Sequence, residues 1–264
     1  MKEDFSKYNG EGTPLRKAQL RLLEMMVEFD RICKKYNIPY FISGGTCLGA
    51  VRHGGFIPWD DDADIDVMKK DYKKLIKILQ QELPERYFVQ TPNTDKQFYR
   101  LFMKIVDKDS LVIYPGENKI RSRLEYKGLS LDIFPIEKIF SYRVKKTIDF
   151  FYASAFVIKR TGIGNNFKRI VAYAIWPVMK VIVFGAKTIS FISNKEKICH
   201  SYGTNIIPKI KYSNIFTPKE IIFEGYSLSG PAKPHEYLQD LYGDYMTIPP
   251  ENKREVHAEK IEVF

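Results

Sequence analysis

At 264 residues the chain sits near the upper size for one hydrophobic core, so a single core with elaborations or one insertion is expected. Lysine and arginine outnumber aspartate and glutamate by 42 to 32, and the net +10 favours anionic partners: nucleotides, phosphorylated sugars, nucleic acid or an acidic membrane face. Three cysteines, Cys33, Cys47 and Cys199, without CxxC spacing argue against a disulfide framework and for a reducing compartment.

The first residues carry no apolar run of the kind a secretory signal needs, so the cytoplasm is the expected place. Thr13-Pro14 predicts a helix start, and Leu15, Leu22, Met26, Phe29, Cys33 and Tyr36 recur at helical spacing as one buried stripe. Asn37-Ile38-Pro39 ends it. Residues 40–43 predict a short strand stopped by Gly44-Gly45, followed by a loop rich in Gly, Arg and His. Residues 63–68 alternate Asp with apolar side chains, the pattern of a half-buried strand. Asp71 is expected to cap a helix with Leu75, Ile76, Leu79 and Leu83 inward. Strands are expected at 87–90, 100–106, 111–114 and 129–134, the last closed by Pro135. The pattern to about residue 140 is α/β (α+β): helices laid on a mixed sheet.

Beyond that point the composition turns apolar and basic with helical spacing. Three segments are therefore expected: a catalytic core over 1–140, an apolar basic helical insertion over 141–207, and a C-terminal segment over 208–264 that completes the core and closes the site. Residues 169–193 are interrupted by Pro177, Lys180 and Lys187. In a spanning helix Lys180 would lie mid-bilayer at about 3 kcal/mol. A helix lying in the membrane interface with snorkelling lysines fits better, with a buried core helix as the alternative.

Asp60, Asp61, Asp62, Asp64 and Asp66 place five carboxylates in seven residues. Their repulsion needs a cation or strong donors to offset it. On a strand, Asp62, Asp64 and Asp66 share one face, a grip for a hard divalent ion that also bonds phosphate. An EF-hand is excluded because Ile65 stands at the required glycine and Asp71 at the bidentate glutamate; a solvated acidic turn would not need the alternating apolar partners. Ser43-Gly44-Gly45-Thr46 is a turn, expected to lead into a helical turn, whose amides and hydroxyls suit phosphate, although it is neither a Walker A loop nor a dinucleotide fingerprint. Arg52 could clamp phosphate oxygens, and His53 could donate to phosphate or fix the loop.

The stretch 42–68, ISGGTCLGAVRHGGFIPWDDDADIDVM, strongly resembles the LicD family, whose bacterial members act on phosphocholine and whose relatives include the fukutin-like ribitol-phosphate transferases. FMKIVDKDS at 102–110, LSLDIFPIE at 129–137 and YGDYMTIPP at 242–250, with His257 beyond, follow in the family's order. The resemblance implies a nucleotidyltransferase-like fold. It maps the phosphate-holding turn onto Gly44-Gly45, the metal pair onto Asp62 and Asp64 with Asp60 as an added ligand, and a third carboxylate onto Asp132, as ligand or general base. Two departures are Cys47, read as core, and Asp66, which leaves the metal pair open between 62/64 and 64/66. Lys104, Arg100 and Arg123 are candidate donors to phosphate or acceptor, and Asp244 and His257 candidates for closing the site.

The implied reaction is Mg²⁺-dependent, with Mn²⁺ as the alternative ion. A phosphocholine or phospho-alditol group passes from a CDP-linked donor to a hydroxyl of a glycan or its lipid-linked precursor, with the enzyme peripheral on the cytoplasmic face of the membrane through 169–193. A true nucleotidyltransferase is the runner-up. A basic membrane- or nucleic-acid-binding module is the non-enzymatic alternative, and it leaves the aspartate cluster without purpose; no nucleic acid is expected as partner.

Overall fold

The structure is a computed structural model that describes residues 4–116, 121–193 and 196–264. Helix α1 (Ser6–Asn9) leads into α2 (Pro14–Lys35), where Thr13 accepts the Arg16 amide at 3.2 Å and Pro14 opens the first turn. The expected stripe is inward: Leu22, Met26, Phe29 and Cys33 are buried. There follow β1 (Tyr40–Ile42), α3 (Gly44–His53), β2 (Ala63–Met68), α4 (Lys69–Glu82), β3 (Tyr87–Gln90), β4 (Met103–Asp107), β5 (Ser110–Ile113) and β6 (Ser130–Lys138). A helical hairpin, α5 (Tyr142–Thr161) and α6 (Asn166–Ile192), precedes β7 (Lys197–His200) and β8 (Ile210–Lys211). The chain closes with α7 (Tyr212–Ile215), β9 (Lys219–Phe223), β10 (Tyr226–Gly230), α8 (Pro234–Tyr242) and β11 (Lys260–Val263).

The central sheet is mixed, in the order β1-β2-β6-β4-β3, with β7 on the far half of β6 and β8 on β7. Among the described residues only β2 and β6 run parallel, and their register sets Asp64 opposite Asp132. Ala63, Ile65 and Val67 point into the core with Leu131 and Ile133, so Asp64 and Asp66 take the other face, as the alternation requires. The α/β expectation holds: helices flank a mixed sheet.

Three local expectations change. The helical turn expected after Gly44-Gly45 extends into a helix that reaches His53, so the loop starts later than expected. Helix α4 starts at Lys69, so Asp71 sits in its first turn beside the positive end of the dipole and is not the cap. Strand β6 runs through Pro135 to Lys138. Pro135 falls where the outer edge of β6 passes from β4, last paired at Ile133, to β7, first paired at Ile136, so no ladder bond there needs its missing N–H. The helical part of the insertion spans 142–192, and the chain has rejoined the sheet by Lys197. The tail returns as well, since β11 pairs antiparallel with β5.

Candidate functional site

Strand β2 and the loop before it carry the carboxylates, and three neighbouring elements converge on them. Asp132 on β6 lies beside Asp64 in register; its Oδ1 is 2.7 Å from Lys104 Nζ on β4 and accepts from Ser130 Oγ at 3.2 Å. The N-terminus of α3 abuts Asp60 and Asp64: a Cβ on Gly44 would lie 3.2 Å from Asp64 Oδ2, and one on Gly45 3.1 Å from Asp60 Oδ2. With φ of +52° at Gly44, glycine is demanded there by conformation and by space together. From the tail, the amides of His257 and Ala258 donate to the two oxygens of Asp61 at 3.1 and 2.9 Å. That clamp brings the His257 ring to the acidic loop, where ligand atoms of Asp60, Asp62 and His257 all lie within 4.8 Å of one another.

Burial pushes the Asp60, Asp62 and Asp64 carboxyls up from the usual range, and neighbouring carboxylates add to it. Asp62 and Asp61 act on Asp60, Asp132 foremost on Asp62, and Asp62, Asp132, Asp60 and Asp66 on Asp64. Crowded, desolvated carboxylates fit a hard divalent cation, whose charge would reverse that penalty.

Two cavities meet at this cluster and share Asp64 and Phe134. One, of about 300 Å³, is cationic: Arg100, Lys104, Arg121 and Lys127 line it with Asp62 and Asp132. The other, of about 280 Å³, lies on the α3 side and is aromatic, with Tyr237, Tyr242 and His200 beside Ser43 and Gly44.

The model of the LicD/FKTN/FKRP nucleotidyltransferase domain matches residues 37–170, which carry α3, the carboxylate strand and Asp132. The chain belongs to the LicD family. It is 27% identical to the lipopolysaccharide cholinephosphotransferase LicD of Haemophilus influenzae over 92% of this chain and 95% of that protein. Shorter matches reach the human ribitol-5-phosphate transferase FKTN, 33% identical over 24% of this chain and 13% of that one. The mouse ribitol 5-phosphate transferase FKRP is 30% identical over 36% of this chain and 20% of that one.

Within this LicD-family site several side chains do other work than the sequence suggests. Ser43 Oγ donates to Asp66 Oδ1 at 3.1 Å, and Thr46 Oγ1 accepts the Asp64 amide at 2.8 Å, so both hydroxyls fix β2 to α3. The Gly44 amide donates to Tyr237 Oη at 3.1 Å. Asp66 is buried against His200 Nε2 at 3.0 Å as well as Ser43.

Arg52, His53 and Arg123 have partners within the protein, and for His53 this matches the loop-fixing alternative. Arg52 donates through Nη1 to the Tyr245 and Thr247 carbonyls at 2.9 and 3.4 Å and through Nε to His53 Nε2 at 3.0 Å. His53 packs edge-on to Phe5 and Trp59, and burial, then Arg52, lowers it to about 4, so it is a neutral acceptor. Arg123 donates to the Thr161 carbonyl at the end of α5 at 3.5 Å; Arg121 lines the cationic cavity instead. Asp244 is exposed and accepts from Thr247 Oγ1 at 2.5 Å. Cys47 is a core thiol, pushed up to about 12 by burial.

Tyr237, Tyr242, His200, Arg121 and Lys127 were not singled out from sequence. Tyr242 opens the YGDYMTIPP stretch and was findable there; His200 and Tyr237 lie 134 and 193 residues from their partners and carry no local signal.

Proposed function

We propose that the protein is a phosphotransferase that moves a substituted phosphate group, phosphocholine or a phospho-alditol, from a CDP-linked donor to a hydroxyl of a glycan or its lipid-linked precursor. The observation that carries this reading is the row of carboxylates, Asp60 to Asp64 with Asp132 in register, lying between two cavities that meet at Asp64. Two substrates that exchange a group need that arrangement, and the similarity to LicD, FKTN and FKRP supports the class of group moved.

Asp60, Asp62 and Asp64 are the residues that would hold Mg²⁺, or Mn²⁺, with His257 at the rim. When bound, the ion neutralises the donor's pyrophosphate and polarises the phosphorus under attack. The chain's own groups do the rest. The N-terminus of α3 at Gly44-Gly45 faces the leaving phosphate, whose charge the helix dipole favours. In the cationic cavity Lys104, Arg100 and Arg121 orient and neutralise the transferred phosphate. Asp132, held by Lys104 and Ser130, takes the proton of the acceptor hydroxyl as its oxygen bonds to phosphorus; the bond from phosphorus to the CMP oxygen breaks and CMP leaves. Contact with a membrane through 169–193, at its cytoplasmic face, belongs to the same reading, because a lipid-linked acceptor is presented there.

The test is CMP release from CDP-choline, CDP-ribitol and CDP-glycerol with glycan or lipid-linked glycan extract, with and without Mg²⁺. Magnesium-dependent CMP release is expected, and Asp132→Asn should lower it by about 10²–10⁴. Pyrophosphate from a nucleoside triphosphate, with no CMP from any CDP donor, would establish the nucleotidyltransferase reading instead.

A further inference from the structure

Helix α6 is 27 residues long, about 40 Å, and it is apolar on two opposite faces. The inner one, Ala172, Met179, Val183, Ala186 and Ser190, is buried, and Met179, Val183 and Ala186 form a second small core with Ile148 of α5 and with Ile139, Cys199 and Tyr202. The outer one follows the same three- and four-residue spacing through Ile170, Ala174, Val178, Val181, Phe184 and Phe191, without one charged member. It is bare: Val181 is 71%, Phe184 73% and Phe191 89% exposed. A contiguous apolar face of that length on a soluble surface marks an interaction site.

The charge beside it says what kind. Residues 141–193 hold nine lysines and arginines against a single acidic residue, Asp149, a net +8. Asp149 is itself buried in a pair with Lys145, so no carboxylate of the hairpin meets solvent. Arg169 and Lys180 lie about a quarter-turn from the bare row, on one flank of it. Lys180 rests over the Trp176 ring, 5.4 Å from its centroid, and Trp176 stacks on Tyr152 at 4.7 Å. Apolar row, flanking cations and amphipathic aromatic rings together match a headgroup region carrying negative charge.

We propose that the α5–α6 hairpin docks on an anionic lipid surface, with the outer row of α6 laid into the headgroup–acyl boundary and the cations beside it on lipid phosphates. This deepens the membrane contact proposed above and rests on that reading. Spanning is disfavoured by the inner stripe, because Met179, Val183 and Ala186 are already committed to the second core. A second copy of the hairpin is disfavoured, because two surfaces of net +8 would have to meet.

The experiment is co-sedimentation of the full chain with vesicles of phosphatidylcholine alone and of phosphatidylcholine with roughly a third phosphatidylglycerol. Binding to the anionic vesicles, weakened by salt, is expected. Phe184→Asp with Val181→Asp should lower that binding by about tenfold or more, and Arg169→Glu or Lys180→Glu by about fivefold each. All these side chains are exposed, so the thermal midpoint should not move. Equal or absent binding to the two vesicle types, or unchanged binding by the aspartate variant, overturns the proposal. So does an oligomer in sedimentation that Phe184→Asp disperses, which would assign the face to a second copy. The assay needs no donor, acceptor or turnover, so its failure is distinguishable from failure of the phosphotransferase reading.

Discussion

Replacing Asp64 by Asn should cut CMP release by about a thousandfold while raising the thermal midpoint of the protein held in chelator. Asp64 sits where α3, β2 and β6 meet, with its carboxyl pushed up first by burial and then by Asp62, Asp132, Asp60 and Asp66. A carboxyl whose folded pKa is raised supplies stability that is present at acid pH and lost as pH rises through the raised value. In chelator the wild type therefore carries an ionisation penalty at neutral pH that the neutral amide lacks. The gap between variant and wild type should open as pH climbs above about 4 and amount to a few degrees, since 1 kcal/mol moves a protein of this size by about 2–4 °C. Magnesium should reverse the order, because only the wild type gains by binding it. Differential scanning fluorimetry across pH, with and without Mg²⁺, reads both signs. A variant whose midpoint falls in chelator, or still climbs with Mg²⁺ as the wild type does, would sink the assignment of Asp64 as the cluster's central carboxylate.

The two-residue alternation of 63–68 was enough to place Asp64 and Asp66 on one face of a strand, because period 2 is a local property of the chain. Asp132 came from the family resemblance, and its place between Leu131 and Ile133 on β6 agrees with it. Helix α3 runs longer than the helical turn expected there: three glycines in its first six residues depress helix propensity, and packing against β2, α8 and β9 offsets it. The length of that helix also places Arg52. As part of a loop it could fold back to the glycine turn; on a helix, eight residues from Gly44, it is carried about 12 Å along the axis to the backbone of the tail. The tail's part was invisible for another reason. Asp61 and His257 are 196 residues apart, and nothing in either neighbourhood encodes their meeting. Asp66 shows the same limit: its face was read correctly, but its partner His200 comes from β7, beyond the helical hairpin.

Within that hairpin, Asp149→Ala should cost about 3–5 kcal/mol, the largest stability effect expected of any single change in α5 or α6. Asp149 and Lys145 are both fully buried, one helical turn apart and in direct contact. The other Asp149 oxygen accepts the Gly203 amide at 2.8 Å, so the pair also ties α5 to the segment that follows β7. Alanine at 149 strands an ammonium away from water and leaves the Gly203 N–H unpaired. Removing both charges, as in Lys145→Met with Asp149→Leu, should recover much of the loss, because a buried ion pair is strongly unfavourable to break but not to replace by apolar groups of similar size. A double-mutant cycle by urea unfolding gives the coupling, and hydrogen exchange over 142–192 reports whether the hairpin opens apart from the sheet. A cost below about 1 kcal/mol for Asp149→Ala, within the range of exposed pairs, would mean that solvent reaches Lys145 and that the pair does not fasten the hairpin.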